Sequence, residues 1–115
     1  MAYNEFLADR VRGSLKGLNS TFVEKKMFGG MCFLVDEKMC VGIINDDLMV
    51  RIDPKDQEEF LNEKGCRIMD FTRRPMKGYL YVSTEGIDMD EDLDRWVQRC
   101  LDFNPKAKSS KKKKK

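Results

Sequence analysis

The chain contains no histidine. That removes the commonest general base, the commonest zinc ligand and the usual partner of a serine or cysteine nucleophile. The four cysteines, Cys32, Cys40, Cys66 and Cys100, include no pair at C-x-x-C spacing. Neither a zinc ribbon nor a thioredoxin-type motif is therefore expected, and no metal or other cofactor. No run approaches the roughly 20 apolar residues of a membrane-spanning helix. The start, Met1 to Glu5, has neither the basic nor the apolar segment of a secretory signal. The cytoplasm is the expected location, and there the cysteines stay thiols. Carboxylates are plentiful, but none stands in a recognisable acid–base context. The expectation is a chain that is not an enzyme.

What is present is enough for one domain. At 115 residues and 41% hydrophobic, the chain closes a single core and no second one. The net charge of +2 conceals a division. Lys106, Lys108, Lys111, Lys112, Lys113, Lys114 and Lys115 fall in the last eleven residues, where there is no acid. Setting those seven aside leaves 15 basic residues against 20 acidic ones, so the body is acidic and the tail basic. Residues 1–104 are expected to form the folded domain, and 105–115 a disordered lysine-rich tail.

Apolar spacing predicts a helix over Asn4 to Lys16, with Leu7, Val11, Leu15 and Leu18 recurring at helical intervals and Phe6 beside them. Gly17 and Asn19 are stop signals. Short apolar runs follow at Thr21–Phe28, Met31–Val35, Met39–Ile44 and Leu48–Ile52, joined by turns too short for anything but antiparallel pairing. The second and third runs are apolar on both faces. One face is expected to pack on helices; the other is either covered or a methionine-rich contact surface. Asp53-Pro54 predicts an N-cap and first position for a helix reaching Lys64, with Gly65 as its C-cap. Arg67–Phe71 and Gly78–Ser83 predict a hairpin. A last helix starts within Asp88 to Glu91 and ends near Phe103, carrying Leu93, Trp96, Val97, Cys100 and Leu101 as its apolar stripe. The order α-β-β-β-β-α-β-β-α implies an α+β, two-layer sandwich with a mostly antiparallel sheet. No internal repeat is present.

Gly29-Gly30 leads into a strand, not a helix, so a positive-φ turn or a bulge is expected rather than a phosphate cradle. Cys32 and Cys40 are expected to face each other across a hairpin, either as a redox pair or as two small buried hydrophobes. Arg73, Arg74 and Lys77 at a hairpin tip, with Arg51 in the fourth strand, are candidates for holding a phosphate or a partner's carboxylate; the alternative is a solvated loop. The lysine tail attracts polyanions weakly and with strong salt dependence, or simply solubilises.

Met27-Phe28-Gly29-Gly30, with the strand Met31–Val35 and the return Met39–Ile44, resembles the opening of the TfoX/Sxy N-terminal domain. Leu48 to Asp53 is similar to that family's next strand, in which a basic residue interrupts an apolar run. Phe71-Thr72, Pro75 to Tyr79 and the Trp96 helix follow in matching order. The resemblance implies a secretion-chaperone-like α+β fold, no catalytic residues, and a link to bacterial transcription and competence control. The full regulators of that family carry a second, C-terminal domain; here a lysine tail follows instead. The function expected is regulatory or adaptor contact with another protein, part of the transcription machinery or a regulator, by a monomer or homodimer. The alternative is a nucleic-acid accessory protein using the tail and the Arg73–Lys77 tip. No membrane contact is expected.

Overall fold

A computed structural model describes residues 3–27, 29–69 and 78–106. The first helix, α1 (Glu5–Gly17), begins where Asn4 Oδ1 accepts the N–H groups of Phe6 and Leu7, at 2.9 and 3.2 Å. That satisfies two of the donors a helix start leaves unpaired. The buried stripe is Leu7, Ala8, Val11, Ser14 and Leu15. Phe6 is not part of it and stands 81% exposed. The helix continues through Gly17, and Asn19, at φ 61°, turns the chain away.

Six strands follow in one sheet: β1 (Val23–Met27), β2 (Gly30–Val35), β3 (Lys38–Ile44), β4 (Asp47–Arg51), β5 (Cys66–Ile68) and β6 (Tyr79–Val82). Their spatial order is β1-β2-β3-β4-β6-β5, and every neighbouring pair is antiparallel. β6 lies between β4 and β5, so β1 and β5 form the two edges. Gly29 takes a positive φ of 77°, as expected of a turn. At Gly30 the reason is proximity: a Cβ there would lie 2.0 Å from the Ile43 carbonyl oxygen. The β2–β3 turn is Asp36-Glu37, both residues in the left-handed region at φ 54° and 67°.

The expected helix over residues 54–64 is the main departure. A 3-10 turn (Pro54–Asp56) capped by Asp53 leads into a single helical turn, α2 (Gln57–Phe60), and the chain then loops to Gly65. With only Phe60 and Leu61 to bury, the segment lacks the apolar face that would hold a longer helix, and helices this short are not stable alone. Its residues serve tertiary contacts instead. Gln57 Oε1 accepts the Gly78 N–H at 2.7 Å, and Phe60 meets Trp96 edge to face at 5.7 Å between centroids.

The last helix, α3 (Asp90–Phe103), buries Leu93, Trp96, Val97 and Cys100 and places Asp90, Glu91 and Asp92 at its dipole-favoured start. Helices α1 and α3 cover one face of the sheet, packing on Phe33, Val41, Ile43, Leu48, Val50, Leu80 and Val82. Ser14 Oγ donates to Asp94 at 2.6 Å, tying the two helices together, and Arg10 donates to the Ile87 carbonyl, just ahead of α3, at 2.8 Å. A second cluster, Cys32, Leu34, Met39, Met49 and Met69, occupies the other face. These side chains are buried, so the methionine-rich face is covered rather than exposed. Pro105 and Lys106, assigned to the tail by composition, close the fold with Asn104 in a 3-10 turn; Lys38 Nζ donates to the Asn104 carbonyl at 3.2 Å. The rest of the tail lies outside the described residues.

Two glycines separate packing from propensity. Gly13 sits in α1 with nothing near a would-be Cβ, so Gly13→Ala is expected to raise stability by about 0.5–1 kcal/mol. Gly30→Ala forces the β2–β3 pair apart and is expected to lower it by roughly 2–3 kcal/mol. Urea unfolding of both variants checks the opposite signs.

Candidate functional site

Arg51 projects from β4 on the face away from the helices, with opposite parity to Leu48 and Val50. Its cross-strand neighbour on β6 is Tyr79, and its guanidinium lies over that ring at 5.3 Å. Arg51 Nη1 also donates to the Met39 carbonyl at 3.4 Å. Two residues along β6, Tyr81 pairs with Arg67 of the edge strand β5, whose guanidinium stands 4.8 Å from the ring centroid. Arg67 Nη2 donates to Asp47 Oδ2 at 2.6 Å, yet the side chain is 52% exposed. The strands thus set two arginine–tyrosine pairs side by side. Each ring fixes a guanidinium by cation–π attraction.

Arg73, Arg74 and Lys77 lie outside the described residues, as do Lys108 and Lys111 to Lys115. The chain leaves the described fold at Met69 and returns at Gly78, beside Arg51 and Tyr79: Met69 N–H reaches the Tyr79 carbonyl at 3.4 Å. Lys106 is paired with Asp53 at 3.7 Å. Arg67, Tyr79 and Tyr81 were not identified from sequence. The signal was available in principle, as an arginine and two tyrosines at alternate positions, but the cross-strand register that joins them was not.

Cys32 and Cys40 do not face each other. The β2–β3 register shifts between Phe33 and Leu34, pairing Phe33 with Val41 and Leu34 with Met39, so that Cys40 is the extra residue of a β-bulge. Cys32 joins the outer cluster and Cys40 the helix-side core, with the sheet between them. The neighbour of Cys40 is Cys100 of α3, in thiol hydrogen-bond contact. Burial pushes the Cys32 thiol up to about 12. Burial, helped by the Glu63 carboxylate, takes Cys66 to about 11, and burial followed by the Cys40 contact holds Cys100 well above the ordinary value. These three are thiols, not thiolates, at neutral pH.

Two further clusters are structural. Arg12 clasps Glu24 with two of its three nitrogens, Nε and Nη2, at 2.5 and 2.9 Å, and holds that carboxyl below the usual range. Arg99 lies between the rings of Phe60 and Trp96, at 4.1 and 4.7 Å, and pairs with Glu63 at 2.8 Å. Its Nη1 is enclosed without a hydrogen-bond acceptor. A recess of about 210 Å³ beside it mixes Lys55, Arg99 and Lys106 with Asp53, Asp56 and Asp102, and so favours neither sign of charge. Among the described residues no three His, Cys, Asp or Glu side chains gather as a metal site, and no helix is long and apolar enough to cross a membrane.

The family model of the TfoX N-terminal domain matches residues 15–104. No curated protein matches the chain.

The thiols give a pH dependence of known sign. Their folded values lie above the ordinary 9.0, so the unfolded chain releases protons that the folded chain keeps. The contribution is complete below about pH 9 and is lost as pH rises toward 12. Urea midpoints are expected to fall between about pH 8 and pH 10.5, and less so in Cys32→Ala. At about pH 8 a thiol reagent is expected to label half-buried Cys66 first, the buried three only on unfolding.

Proposed function

The chain belongs to the TfoX N-terminal domain family, and on that premise we propose that it is a non-enzymatic regulatory adaptor of bacterial transcription or competence control, acting by contact with another protein. The observation that supports this reading is the pair of arginine–tyrosine contacts, Arg51 on Tyr79 and Arg67 on Tyr81. Arginine and tyrosine are the residue types that carry most of the binding energy at protein interfaces. A guanidinium held over a ring has lost little additional freedom when a partner's carboxylate arrives, and it can grip that carboxylate with two parallel hydrogen bonds. The acidic body argues against a duplex lying on the fold, since the average field repels its phosphates.

A second reading, contact with nucleic acid through the tail and the Arg73–Lys77 segment, is favoured by the run of five lysines alone. One backbone-amide NMR experiment on the full chain separates the two. Under the adaptor reading, a short glutamate-rich peptide moves Arg51, Arg67, Tyr79 and Tyr81. A short DNA duplex then moves only signals beyond Pro105, and those shifts vanish at physiological salt. Arg51→Ala with Arg67→Ala is expected to weaken the peptide contact by about tenfold or more. Duplex-induced shifts on the folded body that survive salt would reject the adaptor reading.

A further inference from the structure

The opposite edge of the sheet is built differently. Among the described residues β1 pairs with β2 alone, and no described strand meets the hydrogen-bonding groups along its other side. Val23, Glu24, Lys25 and Lys26 are all exposed, and Val23 shows 66% of its surface. On the helix side β1 is pinned by the Glu24–Arg12 clasp, which fixes the strand against α1. On the outer side, Val23 lies opposite Leu34 and Lys25 opposite Cys32. An open groove of about 580 Å³ runs there, with Phe22, Val23 and Leu34 as its apolar wall.

The two ends of this groove carry opposite charge. Lys25 lines one end and Lys26 follows it. The Asp36-Glu37 turn stands at the Val23 end. That turn has an unusual composition. Two-residue hairpin turns with positive φ at both positions ordinarily use Asn-Gly or Asp-Gly. Here Glu37 occupies the position where glycine is the unstrained choice, at φ 67°. Glycine would remove the strain and also remove one of the two carboxylates at the groove. An observed backbone outlier of this kind is a reasoned pointer to a functional site.

We infer that β1 is a docking edge for an extended peptide of a partner protein, which adds as a seventh strand. Side chains of an added strand alternate between faces with a period of two. In the antiparallel sense, the partner residue opposite Lys25 is acidic, the one opposite Val23 is apolar and fills the Phe22–Leu34 wall, and the one beyond, near Asp36 and Glu37, is basic. The recognised pattern is acid-x-apolar-x-base, read from the partner's N-terminus. A second copy of this chain matches the edge only in part. Antiparallel self-pairing centred on Lys25 or on Glu24 sets like charges directly opposite, which is unfavourable, and centred on Val23 it sets valine on valine but leaves Lys25 opposite Thr21, with no carboxylate of the added strand to meet it. This inference stands apart from the Arg51–Arg67 surface, which lies on the same face but toward the opposite edge of the sheet, and either can fail without the other.

The test is an amide NMR titration of the full chain with the capped peptide Thr-Glu-Thr-Val-Thr-Arg-Thr, beside its charge-exchanged counterpart Thr-Arg-Thr-Val-Thr-Glu-Thr. Saturable shifts at Phe22 to Lys26, Leu34, Asp36 and Glu37 are expected, with slowed hydrogen exchange in β1. The exchanged peptide is expected to bind about fivefold more weakly or worse. Val23→Asp abolishes the effect, and its exposed position spares the fold. Asp36→Asn with Glu37→Gln keeps the turn and lowers affinity by a similar factor. Several results would overturn the inference: equal binding of the two peptides, shifts confined to another surface, or none at millimolar peptide. Shifts of the β1 amides on dilution without peptide would assign the edge to a second copy. Shifts there on removing residues 107–115 would assign it to the tail. Both exclude the proposed occupant.

Discussion

Burial of the central strands on both faces governs the rest of this molecule. β2 is buried along its whole length, and β3 and β4 are buried except at their ends. Such strands have no solvent side on which to place polar residues, which is why they read as continuous apolar runs. The helix layer uses one face; Cys32, Met39 and Met49 fill the other. Gly42 lies in β3 under this outer layer, where a Cβ would strike Met49 Cε and Cys32 Sγ. With both faces filled, variable chemistry is confined to the rim. The β4–β6–β5 side holds arginines on tyrosines, and the β1 side holds an open edge with charge of both signs.

The rim is held in place by charged groups that act structurally. Arg99 is an instance of a cation stabilised by flat rings rather than by water: Phe60, Trp96 and Glu63 together surround it. It closes the space that the shortened second helix leaves beside α3. Arg12 performs the corresponding task for β1, where its two-nitrogen grip on Glu24 joins the edge strand to α1. Both arginines lie outside the arginine–tyrosine surface. Charge count alone would not have distinguished the two kinds.

Local patterns were readable in the sequence where one periodicity dominated. The stripes Leu7-Val11-Leu15 and Leu93-Trp96-Val97-Cys100 fixed both long helices, and the turns fixed the meander of the first four strands. The α+β class, the antiparallel sheet and the element order followed from those. What escaped notice depended on partners remote in sequence. The insertion of β6 between β4 and β5 has no local signature, and with it went the pairing of Arg67 with Tyr81. The bulge at Cys40 adds one residue to the register, enough to send Cys32 and Cys40 to opposite faces. The segment after Pro54 carried good start signals, but a start signal cannot supply the apolar face that sustains a helix. Phe6 looked like core by spacing and is exposed, because the helix-side cluster begins one residue later, at Leu7.

The strand order also sets a hierarchy of local opening. Among the described residues β5 has a single strand neighbour, β6, whereas β6 has two. Any fluctuation that detaches β6 from β4 therefore carries β5 with it, while β5 can separate and leave β6 in place. By backbone pairing alone Cys66 to Ile68 open no less readily than β6, and the Arg67–Asp47 ion pair to β4 acts against that opening. At the far edge β1 stands in the same relation to β2, and each edge strand has a side-chain tie beyond its neighbour: Glu24 of β1 to Arg12 of α1, and Arg67 of β5 to Asp47 of β4. The two edges of one sheet thus differ in how they come loose: β5 must release a second strand as well as its neighbour, whereas β1 must release a helix as well as a strand.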